Sequence, residues 1–346
     1  MQSLIRGVLL SSIVMVGAVP PLKAQTAVGD VRLKNFHPLP AFISNPQNPV
    51  TEHKIQLGRM LYYDPRLSAN QKISCNSCHN LDRYGADEGR VSVGFRGQTG
   101  ARNSPTVYNA AGHIAQFWDG RAPDVETQAK GPVMNPVEMA MTSQDRVVAT
   151  LNSIPEYVEL FKRVFPGDPN PVTFDNVGSA IGVFERGLVT PGRWDKYLEG
   201  DAGALTVTEK AGFDKFYGSG CANCHTGTYL GGSQYQRLGL VKAWPETHDP
   251  GRFAVTGKET DRSVFKVPSL RNVEKTAPYY HDGSVPTLRK AIQMMGEYQV
   301  GKTLSQQDSA SIEAFLKSLT GEIPVKYIKS PVLPKSTVAT PRPIAE

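Results

Sequence analysis

Cysteine is scarce in this chain: 346 residues contain four, and none stands outside two short motifs. After the first two dozen residues there is no long apolar run, so nothing there is suited to spanning a bilayer. Alternating apolar and polar runs are sparse, which argues against a β-protein. Basic residues are dispersed, and the formal charge is a mild +6. With no basic helix and no aromatic-interleaved patch, nucleic acid is excluded as a partner. A diffuse basic surface can still steer an acidic protein.

The composition is that of a soluble globular protein, 40% hydrophobic and 20% charged, and the length suggests two domains. The 26 Pro and 32 Gly predict long, structured loops. Residues 1–24 read as a signal peptide: Arg6, the apolar run "GVLLSSIVMVGAV", then Ala24 as a small residue for cleavage. An uncleaved anchor is the alternative. The mature chain is expected to be soluble and periplasmic.

In an exported chain, four cysteines would first suggest two disulfides. Here Cys75-Cys78 and Cys221-Cys224 stand in "CNSCH" and "CANCH", each pair followed at once by His79 or His225. Cys-x-x-Cys-His is the signature of covalent haem attachment, with two thioethers to the vinyl groups and the adjacent imidazole on the iron. A CxxC redox pair or half a zinc site is the competing reading. Two copies with no spare cysteine favour haem.

Helical patterns dominate the rest. Thr51 caps a helix carrying Leu57 and Leu61. Phe174, Val177, Ile181, Phe184 and Leu188 define another, stopped by Pro191-Gly192. Thr208 caps a third, and Ser305 with Asp308 starts a last one. The expected fold is therefore mostly α and loop-rich, with two cytochrome c-like domains, each with one covalently bound haem. Residues 25–190 and 191–330 form the two domains, with a linker near 190–206 and a loose tail at 331–346. A second iron ligand for the second haem is sought in "TLRKAIQMMGEYQVG", with Pro286 in the first turn. Met295 shares a face with Leu288 and Ile292 and is the better candidate; Met294 is second, and a core-filling methionine is the plain reading.

The segments "LGRMLYYDPRLSANQKISCNSCHNL", "RNSPTVYNA", "QFWDGRA", "QAKGPVMNPVEM", "GCANCHTG", "APYYHDGSVPTL" and "MMGEYQVG" together resemble the bacterial di-haem cytochrome c peroxidases, over nearly the whole mature chain. That family is related to the tryptophylquinone maturation enzyme of methylamine dehydrogenase. The resemblance implies a peroxidatic haem on His79 and a high-potential, electron-entry haem on His225 with Met295. It implies that Glu138 is the distal acid–base carboxylate, that Gln128 lines the same pocket, that Trp118 lies between the haems and that His281 lies near the second one. It also implies a calcium site at Asn103, Thr276 and Pro278, an electron donor that is a small cytochrome c or a cupredoxin, hydrogen peroxide as substrate, and a homodimer.

Glu138 is hedged by Pro, Val and Met, which would raise its pKa enough for it to act as base and then acid; a helix-start glutamate is the alternative. Trp118 is otherwise a core aromatic. Asn103, Thr276 and Pro278 offer only oxygen atoms and no carboxylate, a weak set for calcium. Of the remaining histidines, His113 just before "QFWDG" is the one that could ligate unexpectedly.

The chain departs from the family at one point. Most members keep a His in the loop after the first CxxCH, where it blocks the peroxidatic iron at rest; the aligned position here is Phe95, and residues 81–112 contain no His or Met. Tyr84 and Tyr108 are the remaining possible ligands in that stretch. The expectation is a first haem that is open at rest. The maturation enzyme is also open there, but it has a Tyr where this chain has Met295, which favours a peroxidase. An oxidase acting on a protein or small molecule through high-valent iron, and a pure electron carrier, are the alternatives.

Overall fold

The computed structural model describes residues 29–345 except Thr247. The leader read at 1–24 lies outside the described residues. Thirteen α-helices occur among the described residues, joined by long loops with short 3-10 turns. They are α1 Glu52–Tyr63, α2 Cys75–Cys78, α3 Val125–Gln128, α4 Lys130–Met134, α5 Gln144–Asn152, α6 Pro155–Val164, α7 Phe174–Arg186, α8 Arg193–Leu198, α9 Val207–Ser219, α10 Phe253–Thr256, α11 Leu288–Met294, α12 Gln306–Lys317 and α13 Val325–Ile328. The two strands, β1 Tyr235–Arg237 and β2 Val264–Lys266, form an antiparallel ribbon that pairs Gln236 with Phe265.

Two large hydrophobic clusters organise the chain. In the first, α1 and α7 bury Leu57, Leu61, Val177, Ile181 and Phe184. Thr51 starts α1 by accepting from the Lys54 N–H. The two helices cross at Gly58, where a Cβ would lie 1.9 Å from the Ala180 carbonyl oxygen. In the second cluster, α9 and α12 bury Phe213, Phe216, Phe315 and Leu316 around Trp194. They also cross at a glycine, since a Cβ on Gly212 would lie 2.0 Å from the Ser311 carbonyl oxygen.

Each cluster takes a piece from the far end of the chain. Phe36 packs edge-on against Trp194 at 5.7 Å. Tyr327 of α13 stacks on Phe184 at 5.2 Å and donates to its carbonyl.

Several sequence expectations are corrected. The cap of α9 is Thr206, not Thr208, because Thr206 completes a reciprocal box: its hydroxyl accepts from the Glu209 N–H, and the Glu209 carboxylate accepts from the Thr206 N–H. Helix α7 ends at Gly187, before Pro191 is reached. Pro286 precedes the cap of α11, which is Thr287.

The stretch expected to be a linker contains α8 and begins in a buried junction. There Asn109 and Asn272 both donate to the Thr190 hydroxyl, and Gly321 is so close that a Cβ would lie 1.8 Å from the Thr190 carbonyl oxygen. The tail is not loose either. Its carbonyls accept from Arg66, Gln71 and Arg146, and the Ile344 N–H donates to Ala69. A proline-rich strip cannot satisfy itself as a helix, so its backbone groups find partners on the first cluster.

Candidate active site

The four cysteines are unpaired, so the two-disulfide reading does not describe this chain. CNSCH begins in α2, one short turn packed against α1, and the Tyr62 hydroxyl of α1 donates to the His79 carbonyl at 2.8 Å. Burial pushes the His79 imidazole below its usual pKa and so keeps it neutral, the form that ligates iron. CANCH follows α9 directly, Gly220 in the left-handed region making the turn into a 3-10 helix at Cys221–Asn223. The His225 Nδ1 bonds the Leu230 carbonyl at 3.1 Å, which leaves Nε2 as the ligating atom, and burial pushes its pKa down to about 4.

A cavity of about 250 Å³ opens beside the second motif, with Cys221, Cys224 and His225 on its wall. Met295 lines it and Met294 does not. The physical reason is the helical period: Met295 shares the face of Leu288 and Ile292, which line the same cavity, and Met294 is turned about 100° away from it. A CxxCH motif, a neutral imidazole and a thioether around one largely apolar cavity fit a c-type haem.

Trp118 and His281 lie on that same wall. Their rings meet edge-on at 6.4 Å, the Trp118 indole N–H donates to the Asn103 carbonyl at 2.9 Å, and His281 stacks on Phe265 at 4.4 Å. Asn103 donates its amide nitrogen to the Gly89 and Arg90 carbonyls, so its amide oxygen is the atom left for a cation. Thr276 and Pro278 line the same cavity. Among the described residues no cluster of three or more His, Cys, Asp or Glu is suited to a metal.

At the first motif, Glu138 is carried by a tight loop after α4 and accepts from the Asn135 amide at 2.8 Å. Burial raises its pKa, against the opposing charge of Arg121 and that hydrogen bond. The loop that carries Glu138 is tied to the chain leading into CNSCH, where the Ala69 N–H donates to the Met139 carbonyl at 2.8 Å. Gln128, the last residue of α3, precedes α4 on the same stretch.

The Phe95 loop is locked onto the Glu138 loop. The Phe95 N–H donates to the Glu138 carbonyl at 2.8 Å, and a Cβ on Gly94 would come within 2.1 Å of the Val137 carbonyl oxygen. Phe95 itself is 7% exposed. Tyr108 donates its hydroxyl to the Leu81 carbonyl and Tyr84 to that of Gly321, so both are committed elsewhere.

A model of the di-haem cytochrome c peroxidases matches residues 52–203. The chain is 49% identical to a cytochrome c551 peroxidase of Nitrosomonas europaea, over 85% of this chain and 87% of that one. It is 47% identical to a cytochrome c551 peroxidase of Pseudomonas aeruginosa, over 93% of this chain and 94% of that one.

The chain belongs to the di-haem cytochrome c peroxidase family.

It is accordingly an oxidoreductase that acts on peroxide, and haem is its cofactor. Among solved structures, a MauG-like protein associated with microbial copper homeostasis superposes with a TM-score of 0.76 at 31% identity, over 85% of this chain and 97% of that one. No helix of the described residues is long and apolar enough to cross a membrane.

Sequence reasoning missed several members of the two sites. Arg121 offsets the burial of Glu138, and Asn135 orients it. Glu185, buried on α7, has a pKa pushed up to about 8 by desolvation and then by the nearby Glu126. Lys266 was also missed; it meets His113, the histidine singled out from the sequence, on the wall of the second cavity. The signal for Lys266 was a lysine inside the apolar run "VFKVP". Arg121 and Glu185 gave none, because Glu138 and Glu126, the carboxylates coupled to them by charge, lie far off in sequence.

Proposed function

We propose that the chain is an exported, periplasmic peroxidase with two covalently attached c-type haems, one on His79 and one on His225 with Met295. It reduces hydrogen peroxide to water, taking two electrons and two protons per peroxide. The observation that carries this reading is the half-buried Glu138 carboxyl, on a loop tied by backbone hydrogen bonds to Ala69 ahead of the CNSCH motif and to Phe95 after it, with a pKa raised by burial.

When bound on His79, the haem supplies the iron that takes the peroxide and hands on electrons. The protein does the proton work. Glu138 takes the proton from the near oxygen and returns it to the leaving one, so a single carboxyl with a raised pKa serves as base and then acid. Asn135 holds its Oε1, and the positive field of Arg121 keeps the carboxylate form accessible despite burial. Gln128 completes the pocket. Phe95 has no atom that binds iron, so the first site is open to peroxide in the fully oxidised state.

Electrons come from a small cytochrome c or cupredoxin and enter on the His225 side. Trp118 acts as the relay. Its support is position: it lines the second cavity, while the charge of Arg121, three residues on in the same loop, acts on Glu138. Calcium, held by Asn103, Thr276 and Pro278, and pairing into a homodimer complete the reading. Steady-state turnover of peroxide with reduced cytochrome c tests it. A protein that carries two haems, both six-coordinate, and does not consume peroxide would be an electron carrier instead.

A further inference from the structure

We propose that Lys266, positioned by His113, is a carboxylate-binding group in the cavity beside His225, and that the carboxylate it holds is a propionate of the haem attached there. The inference rests on the reading that a c-type haem fills that cavity. Lys266 closes β2 and is 8% exposed. Burial pushes its ammonium down to about 8, so it is still mostly charged at neutral pH. A buried ammonium needs an anion. None is supplied: the cavity wall contains no Asp or Glu, although Lys266 and Arg237 both lie on it.

The one side-chain partner of Lys266 among the described residues is His113, 153 residues away in sequence, with Nζ 3.3 Å from Nδ1. An ammonium has donors only, so Nδ1 accepts and the neutral ring carries its proton on Nε2. Burial, and then the charge of Lys266, hold that ring neutral. Nε2 is buried and has no partner. The ring is seated against Gly232, whose φ is +72°; a Cβ there would lie 2.3 Å from Cδ2, so no other residue leaves room for the imidazole.

His113 thus takes one N–H of the ammonium and fixes its direction, and the remaining N–H groups of Lys266 stand in a cavity that offers them no carboxylate. The ligand must bring the acceptor. The propionates are the only carboxylates of a haem whose vinyl groups are consumed by Cys221 and Cys224.

The test uses the full-length holoprotein with Lys266→Met and Lys266→Arg. Haem content per chain and the reduction potential of the haem on His225 are measured together. All forms should carry two haems. Removing the cation leaves the propionate charge uncompensated, so Lys266→Met should shift that haem's reduction equilibrium toward the ferric form by about tenfold, equivalent to about 59 mV for one electron. Lys266→Arg should stay near the wild type. An unchanged potential in a fully loaded Lys266→Met protein would overturn the subsite.

Wild-type protein gives a readout that does not depend on a variant folding. The propionate bending band in resonance Raman should move between H2O and D2O if exchangeable N–H groups hold the carboxylate, and an unmoved band would also overturn the proposal. Fewer than two haems in the wild type would instead overturn the haem reading itself.

Discussion

At the residue scale, two carboxyl groups titrate unusually for the same reason and do different work. The pKa of Glu138 is raised by burial. Its base form is required, so as pH falls through the raised pKa the base is protonated and kcat/KM drops. The acid limb of the pH profile should therefore lie above the ordinary glutamate value. Glu138→Gln should lower peroxide turnover by roughly 10²–10⁴-fold with both haems retained, and should remove that limb.

Glu185 has its pKa pushed up to about 8 from 4.5. A raised folded-state pKa contributes stability that is fully present below 4.5 and is lost as pH rises through about 8, because the unfolded chain gives up the proton first. Glu185→Gln should thus gain thermal stability relative to the wild type between pH 5 and 8, by a few degrees. Melting curves at the two pH values check this, and a constant difference between variant and wild type would count against it. At position 95, Phe95→His should convert a high-spin resting EPR signal into a low-spin one if the loop can bring an imidazole to the iron.

At the scale of elements, both clusters use the same device: a long helix pair whose crossing point is a glycine. No side chain fits between α9 and α12 at Gly212 or between α1 and α7 at Gly58. Gly212→Ala should cost ~1–3 kcal/mol in denaturant unfolding, since the Ser311 backbone cannot move aside cheaply. Thr206→Ala should cost about 1 kcal/mol by removing the cap of α9, the helix that delivers Cys221. These crossings were only half legible in the sequence. Periodicity marked the apolar faces of α1, α7 and α12, but nothing in the spacing said which glycine would meet which helix.

At the scale of the whole molecule, the chain ends tie the two clusters together. Phe36 from the N-terminal arm belongs to the second cluster, and α13 with the final strip belongs to the first. Removing residues 331–346 should lower the melting temperature by several degrees, because Arg66, Gln71 and Arg146 lose their carbonyl partners. The reading of that strip as a loose tail failed for a physical reason. Proline content says that a segment will not be helical; it does not say that its carbonyls will go unused.

By itself the sequence determined what is local or covalent. Two CxxCH motifs place sulfurs and an imidazole within five residues, so haem attachment needs no tertiary argument. The caps at Thr51 and Ser305 act over three residues, and the absence of His or Met near Phe95 is plain from the order of the letters. The tertiary structure decided everything that depends on burial and on distant pairs. It locked the Phe95 loop to Glu138 and brought Lys266 to His113. These outcomes turn on which surfaces lose their water when helices far apart in the chain pack together. No window of sequence contains that information, because desolvation belongs to the assembled cavity rather than to any one residue that lines it.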